Sequence, residues 1–122
     1  PRGKNVVLVF YPLDFSPVCT KENECIVSDL PKFNAKNGQV FGVSVDSVWA
    51  HKAFARQIGA TYPLLADFHP REKVEKQFGL YLEDKGVTAR AIVVIGGDGV
   101  VREVFNYDLP EQPDIARVIN SL

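Results

Sequence analysis

The residues best suited to do chemistry lie in one stretch, Tyr11-Pro12-Leu13-Asp14-Phe15-Ser16-Pro17-Val18-Cys19-Thr20-Lys21-Glu22. It leaves an apolar run and enters a helical pattern. Ser16 followed by Pro17 marks a helix start, with serine as N-cap and proline at the first helical position. Cys19 then falls at the third helical position. Unpaired backbone N–H groups and the helix dipole favour negative charge there, and a thiol is nucleophilic as its thiolate. The Ser16 hydroxyl, three residues earlier, can reach the Cys19 backbone N–H as a cap, or turn towards the sulfur or a ligand oxygen. The plainer reading is equally open on these residues alone. A free cysteine is often a small core residue, and Ser-Pro is often only a cap.

Apolar runs and helical spacings alternate around this stretch. Asn5–Tyr11, Gln39–Val45 and Ala91–Ile95 are short, continuous and rich in β-branched residues, so they read as buried strands. Helical spacing relates Ile26, Leu30 and Phe33, then Trp49, Phe54 and Ile58, then Val74 and Phe78. Gly38, Gly59 and Gly79 follow these three patterns, where a left-handed helix terminus suits glycine. Tyr62–Ala66 reads as a short edge strand entered through Pro63. Gly96-Gly97-Asp98-Gly99 predicts a hairpin turn, Val100–Phe105 the returning strand, and Asp114–Leu122 a closing helix with Ile115, Val118, Ile119 and Leu122 on one face. The order β-α-β-α-β-α-β-β-α predicts an α/β sandwich on a mixed sheet. Such sheets place sites at strand-to-helix loops, and Cys19 lies in the first helical turn after one.

Composition narrows the function. The 122 residues carry 14 basic and 15 acidic side chains, for a net charge of -1, which offers no bulk attraction to nucleic acid. No apolar run approaches a membrane span. Two cysteines argue against a disulfide-built scaffold, and with only His51 and His69 elsewhere the usual zinc spacings are absent. No metal is expected. His51 reads as a surface or packing histidine and His69, beside Pro70, as turn chemistry. Trp49 and the phenylalanines read as core or interface. Phe15 lines a pocket or belongs to the core.

In combination and order, several motifs resemble the peroxiredoxin family over nearly the whole chain. Pro12-x-x-x-Ser16-x-x-Cys19 is similar to its signature Pro-x-x-x-Thr/Ser-x-x-Cys. Gly42-Val43-Ser44-Val45-Asp46-Ser47, Tyr62-Pro63-Leu64-Leu65-Ala66-Asp67, Arg90 before Ala91–Ile95, and Gly99-Val100-Val101-Arg102 continue the likeness. Phe10-Tyr11-Pro12-Leu13 and Ala66-Asp67-Phe68-His69-Pro70 resemble the bacterial one-cysteine alkyl hydroperoxide reductase E type. The resemblance implies one thioredoxin-like domain over residues 1–122, with a mixed central sheet flanked by helices, and a thiol-dependent peroxidase. Cys19 would be the peroxidatic cysteine and become a sulfenic acid. Pro12 would shield it, Ser16 would hydrogen-bond the peroxide, and Arg90 would favour the thiolate and position the oxygens. Taken alone, an arginine at a strand entrance reads as a solvated charge. Glu22, one turn after Cys19, complements the helix dipole or braces Arg90. The resemblance further implies no cofactor, a thioredoxin-like or low-molecular-weight thiol as reductant, a homodimer and a cytoplasmic setting. Family members usually carry a further N-terminal strand or hairpin, so a truncated chain is expected.

The second cysteine sits awkwardly. Cys25 follows Cys19 by six residues, where a common single-chain arrangement has five. Six helical residues rise about 9 Å and leave the side chains roughly 120° apart. Cys19 shares its azimuth with Ile26, facing the core, while Cys25 joins Glu22, Asp29 and Lys32 on a flank towards solvent. A disulfide needs Cα atoms within about 7 Å, so a Cys19–Cys25 bond requires the first turns to unwind. Cys25 is therefore either the resolving cysteine or an inert flank residue, with resolution by an outside thiol. A thioredoxin-type disulfide oxidoreductase would be expected to carry Cys-x-x-Cys, and a redox sensor or non-catalytic module on the same fold remains a third reading.

Overall fold

The computed structural model describes residues 3–66, 81–82 and 87–122. Its main sheet has five strands: β1 (Asn5–Phe10), β2 (Gly38–Ser44), β3 (Leu64–Ala66), and, after a two-stranded sheet of β4 (Tyr81–Leu82) and β5 (Val87–Thr88), β6 (Arg90–Ile95) and β7 (Val101–Tyr107). The order across the sheet is β3-β2-β1-β6-β7. β1 runs parallel to β2, and β2 to β3, whereas β6 is antiparallel to both β1 and β7. The sheet is thus mixed, as expected. The sequence pattern did not announce β4 and β5, because two-residue strands carry no periodicity. The helix expected through Val74 and Phe78, the Gly79 terminus and His69-Pro70 lie outside the described residues.

Helix α1 (Pro17–Ala35) connects β1 to β2, α2 (Val48–Ile58) connects β2 to β3, and α3 (Ile115–Asn120) closes the chain. Strand alternation sorts the core into two faces. Val7 and Val9 of β1 with Ile92 and Val94 of β6 meet Ile26 and Phe33 of α1 and Ile115, Val118 and Ile119 of α3. Phe10, Val43, Ala91 and Val93 cluster on the opposite face. The same alternation puts Arg90 on the face of Ile92 and Val94, towards α1.

Two expectations need correction. Gly38 does not end α1; Asn37 takes the left-handed position at φ 58°, and Gly38 begins β2. A Cβ there would stand 3.0 Å from Leu122 Cδ1 and 3.1 Å from the Phe33 carbonyl oxygen, so close packing explains the glycine. Gly59, by contrast, does cap α2 at φ 73°. Trp49 is not core: it is 78% exposed. Five residues separate it from Phe54, about 140° around the helix. The buried face of α2 is instead His51, Phe54 and Ile58.

Candidate active site

Cys19 occupies the third position of α1, as the Ser-Pro start predicts, and is fully buried. The site forms where the first turn of α1 meets the head of β6. Arg90 enters from β6, itself buried, and spends its guanidinium on three acceptors. Nη2 donates to Cys19 Sγ at 3.3 Å, Nη1 to Glu22 Oε1 at 2.6 Å, and Nε to the Leu109 carbonyl at 2.9 Å. The solvated-charge reading of Arg90 is therefore overturned. So is the placement of Glu22 on a solvent flank. Glu22 is fully buried, drawn in by a guanidinium it can reach one turn from Cys19. Burial pushes its carboxyl up to about 7, against the opposing pull of Arg90. Glu22 Oε2 has no hydrogen-bond partner among the described residues.

The turn between β1 and α1 sits beside this cluster. Pro12 is buried within it. Ser16 has the backbone of an N-cap, but its hydroxyl makes no capping bond. Its Oγ donates instead to the Leu13 carbonyl at 3.0 Å, closing the turn on itself. The expected Ser16 cap on the Cys19 N–H is thus absent, and that helix N–H is left without a serine hydroxyl. Phe15 holds φ 67°, stands 45% exposed, and meets Phe54 edge-on at 5.2 Å. It is not a core residue.

Sequence reasoning missed two supports. Asn23 Nδ2 donates to the Cys19 carbonyl at 2.9 Å, and the Tyr62 hydroxyl donates to Asn23 Oδ1 at 2.7 Å. Asn23, buried one turn from Cys19, offered a signal only in its helical spacing. Cys25 stays apart from the cluster. It is half-buried: it packs on the edge of the main core and also lines an open surface hollow with Lys21, Glu24, Ser28 and Asp29. Both cysteines are free, and α1 is helical across the interval between them.

His51 is no surface residue either. It is buried, with Nδ1 2.7 Å from Asp14 Oδ2 and Nε2 3.0 Å from the Leu65 carbonyl oxygen. Asp14, Asp46 and His51 hold donor atoms within 4.8 Å of one another. Those atoms are already engaged: besides the His51 bonds, Asp46 Oδ2 accepts from Ser44 Oγ at 2.6 Å and from the Asp14 N–H at 2.8 Å. The trio is a closed hydrogen-bond cluster.

Chemically, the first turn offers a sulfur with a fixed guanidinium against it and a helix N-terminus beneath it. Both favour negative charge at Sγ and at an oxygen developing charge beside it.

Comparison with known proteins agrees with this geometry. The profile of the AhpC/TSA family matches residues 2–104. The chain is 41% identical over 116 residues to Peroxiredoxin-2 of Bos taurus, covering 89% of this chain and 57% of that protein. It is 37% identical over 102 residues to alkyl hydroperoxide reductase E of Mycobacterium bovis, covering 83% and 67%. Among solved structures, Enterococcus faecalis AhpC superposes with a TM-score of 0.90 at 30% identity, over 98% of this chain and 72% of its own. The reduced 2-Cys peroxiredoxin of Plasmodium vivax does so with a TM-score of 0.84 at 29% identity, over 96% and 63%. The thioredoxin-like fold expected from the sequence is borne out. The chain spans about 57% of the length of Peroxiredoxin-2 and 67% of that of the reductase.

Proposed function

The chain belongs to the AhpC/TSA family, and on that premise we propose that it is a thiol-dependent peroxidase, reducing hydrogen peroxide and organic hydroperoxides at Cys19. The observation that carries the reading is Arg90 Nη2 at 3.3 Å from Cys19 Sγ, at the third position of a helix. The Cys19 thiolate attacks one peroxide oxygen and the O–O bond breaks. The leaving oxygen takes a proton and departs as water or an alcohol, leaving Cys19 as a sulfenic acid. Arg90 favours the thiolate and the charge that grows on the oxygens. Glu22 braces Arg90, Pro12 shields the sulfur, and Ser16 turns its hydroxyl from Leu13 to the bound peroxide.

An outside thiol then condenses with the sulfenic acid, releasing water and forming a mixed disulfide. A second thiol displaces Cys19 and leaves as the reductant's disulfide. The reductant is a thioredoxin-like protein or a low-molecular-weight thiol. The continuous α1 helix between Cys19 and Cys25 favours this route over an internal disulfide, and it weighs against a disulfide oxidoreductase.

We take residues 1–122 to act as one domain, paired in a homodimer and working in the cytoplasm. Exposed apolar side chains support the pairing: Leu13 and Phe15 on the turn, and Val48 and Trp49 at the start of α2. No described helix is long and apolar enough to cross a membrane.

Stopped-flow mixing of the reduced protein with hydrogen peroxide tests the reading. Fast consumption that vanishes in Cys19→Ser supports it; consumption that survives that substitution overturns it.

A further inference from the structure

We propose that His51, as an imidazolium, is a positioning residue for the Cys19 site: it locks Asp14, and through Asp14 the turn that carries Pro12 and Ser16. The proposal rests on reading Cys19 as the peroxide-reducing sulfur. Its basis is that both ring nitrogens of His51 face acceptors. Nδ1 is 2.7 Å from a carboxylate oxygen of Asp14, and Nε2 is 3.0 Å from the Leu65 carbonyl oxygen of β3. A neutral imidazole has a single N–H, so its other nitrogen would turn a lone pair towards an oxygen. Only the cation donates to both. The Tyr11 hydroxyl, 3.5 Å from Nδ1, does not change this, because its O–H is given to Asp14 Oδ1 at 2.6 Å.

Among the described residues, the titratable and charged groups around the ring are Tyr11 and Asp14 from the end of β1 and its turn, Asp46 beyond β2, and Lys52 beside it on α2. Burial disfavours the charged ring. The bond and charge of Asp14, the Leu65 carbonyl and the charge of Asp46 outweigh it and raise His51 above its ordinary value. Burial, with the Asp14 charge behind it, pushes the Tyr11 hydroxyl far up, so that group stays a donor.

Asp14 is consequently held from three sides: Tyr11, His51 of α2, and Asp46, which accepts its backbone N–H at 2.8 Å. The next residue, Phe15, holds φ 67°, a left-handed conformation that a bulky side chain adopts only under constraint. Ser16 closes the same turn through Leu13. When His51 loses its proton, one of its two oxygens loses a donor and the constraint on Asp14 and Phe15 weakens. Pro12 and Ser16 ride on that turn, so peroxide reduction should slow as His51 deprotonates.

The test combines nitrogen NMR with kinetics on reduced, ¹⁵N-labelled protein, titrated across neutral pH. The ring nitrogens of His51 are expected to show the cation at neutral pH. The backbone amides of Asp14, Phe15 and Ser16 should shift with the same midpoint as the ring. The second-order rate constant with hydrogen peroxide should fall on the alkaline side with that midpoint. His51→Gln should remove this limb and lower the neutral-pH rate by at least about tenfold, the scale expected when a site is misplaced by a fraction of an ångström. A neutral ring at neutral pH, turn amides that stay still through its titration, or a His51→Gln protein with unchanged rate and pH limb would each overturn the proposal. If His51→Gln does not fold, the three wild-type midpoints decide: coincidence supports the proposal and separation overturns it. If the wild-type protein consumes no peroxide, the peroxidase reading fails, while the ring and amide shifts still decide whether His51 holds the turn.

Discussion

Replacing Arg90 with alanine removes three hydrogen bonds at once, and their consequences separate into a kinetic part and a stability part. The bond to Cys19 Sγ is a charged donor in a buried site. Losing such a donor costs about 2.7–4 kcal/mol of transition-state stabilisation, or about 10²–10³ in rate. The bond to Glu22 governs stability. Glu22 is fully buried, with one oxygen unpartnered among the described residues and its carboxyl already raised to about 7, so alanine at position 90 removes its cation and leaves it to be held protonated, or at higher pH as a buried lone carboxylate. Breaking one side of a buried pair costs about 3–5 kcal/mol, a large share of the roughly 5–15 kcal/mol a domain possesses. Arg90→Ala combined with Glu22→Gln should therefore be more stable than Arg90→Ala alone, because no charge is left to desolvate. Arg90→Lys should stay folded, since it keeps a cation. A single ammonium cannot reproduce the three-way fork, so its rate should still fall by about tenfold or more. The assays are stopped-flow peroxide consumption in a Cys25→Ser background and urea unfolding of each variant. Folded Arg90→Ala and Arg90→Lys proteins with rate constants within about threefold of wild type would refute the kinetic reasoning. A double variant no more stable than Arg90→Ala would refute the stability reasoning.

Cys25→Ser should leave the first oxidation by peroxide nearly unchanged, as followed by stopped-flow, because Cys25 lies outside the Cys19–Arg90 cluster. Stability should fall as pH rises from the ordinary carboxyl range through about 7, because folded Glu22, raised to about 7, holds its proton where the unfolded chain has released it. Urea unfolding across that window checks this, and Glu22→Gln should flatten the slope. Phe54→Ala empties a fully buried site against Tyr11 and Phe15 and should cost about 3–5 kcal/mol, read from the shift in urea midpoint.

The elements that place Cys19 were legible because local rules decide them. Ser16-Pro17 starts α1 within its own sequence, and Val7, Val9, Ile92 and Val94 declare buried strands by type alone. The partners of the site were not. Arg90 lies 71 residues from Cys19 and 68 from Glu22, and only the antiparallel placement of β6 beside β1 brings them together. Residue type alone gave Arg90 as a surface charge; the family resemblance, not spacing, placed it at the sulfur. Helical azimuth sets Glu22 on a solvent flank because it says which side a residue faces, not what has packed there. Ser16 misled in the opposite way, since the preference for serine at a helix start does not fix where its hydroxyl points. His51 and Asp14 carried no local signal, as their bond spans 37 residues and two loops. Trp49 shows that a loose helical spacing, accepted one residue out of phase, turns a side chain from core to surface.

Mass spectrometry after one equivalent of hydrogen peroxide, with dimedone present to trap sulfenic acid, shows whether peroxide oxidises Cys19. One dimedone adduct per chain is expected, mapped to Cys19 and lost in Cys19→Ser. An adduct on Cys25, or a reduced protein that peroxide leaves unmodified, would contradict a peroxidatic Cys19.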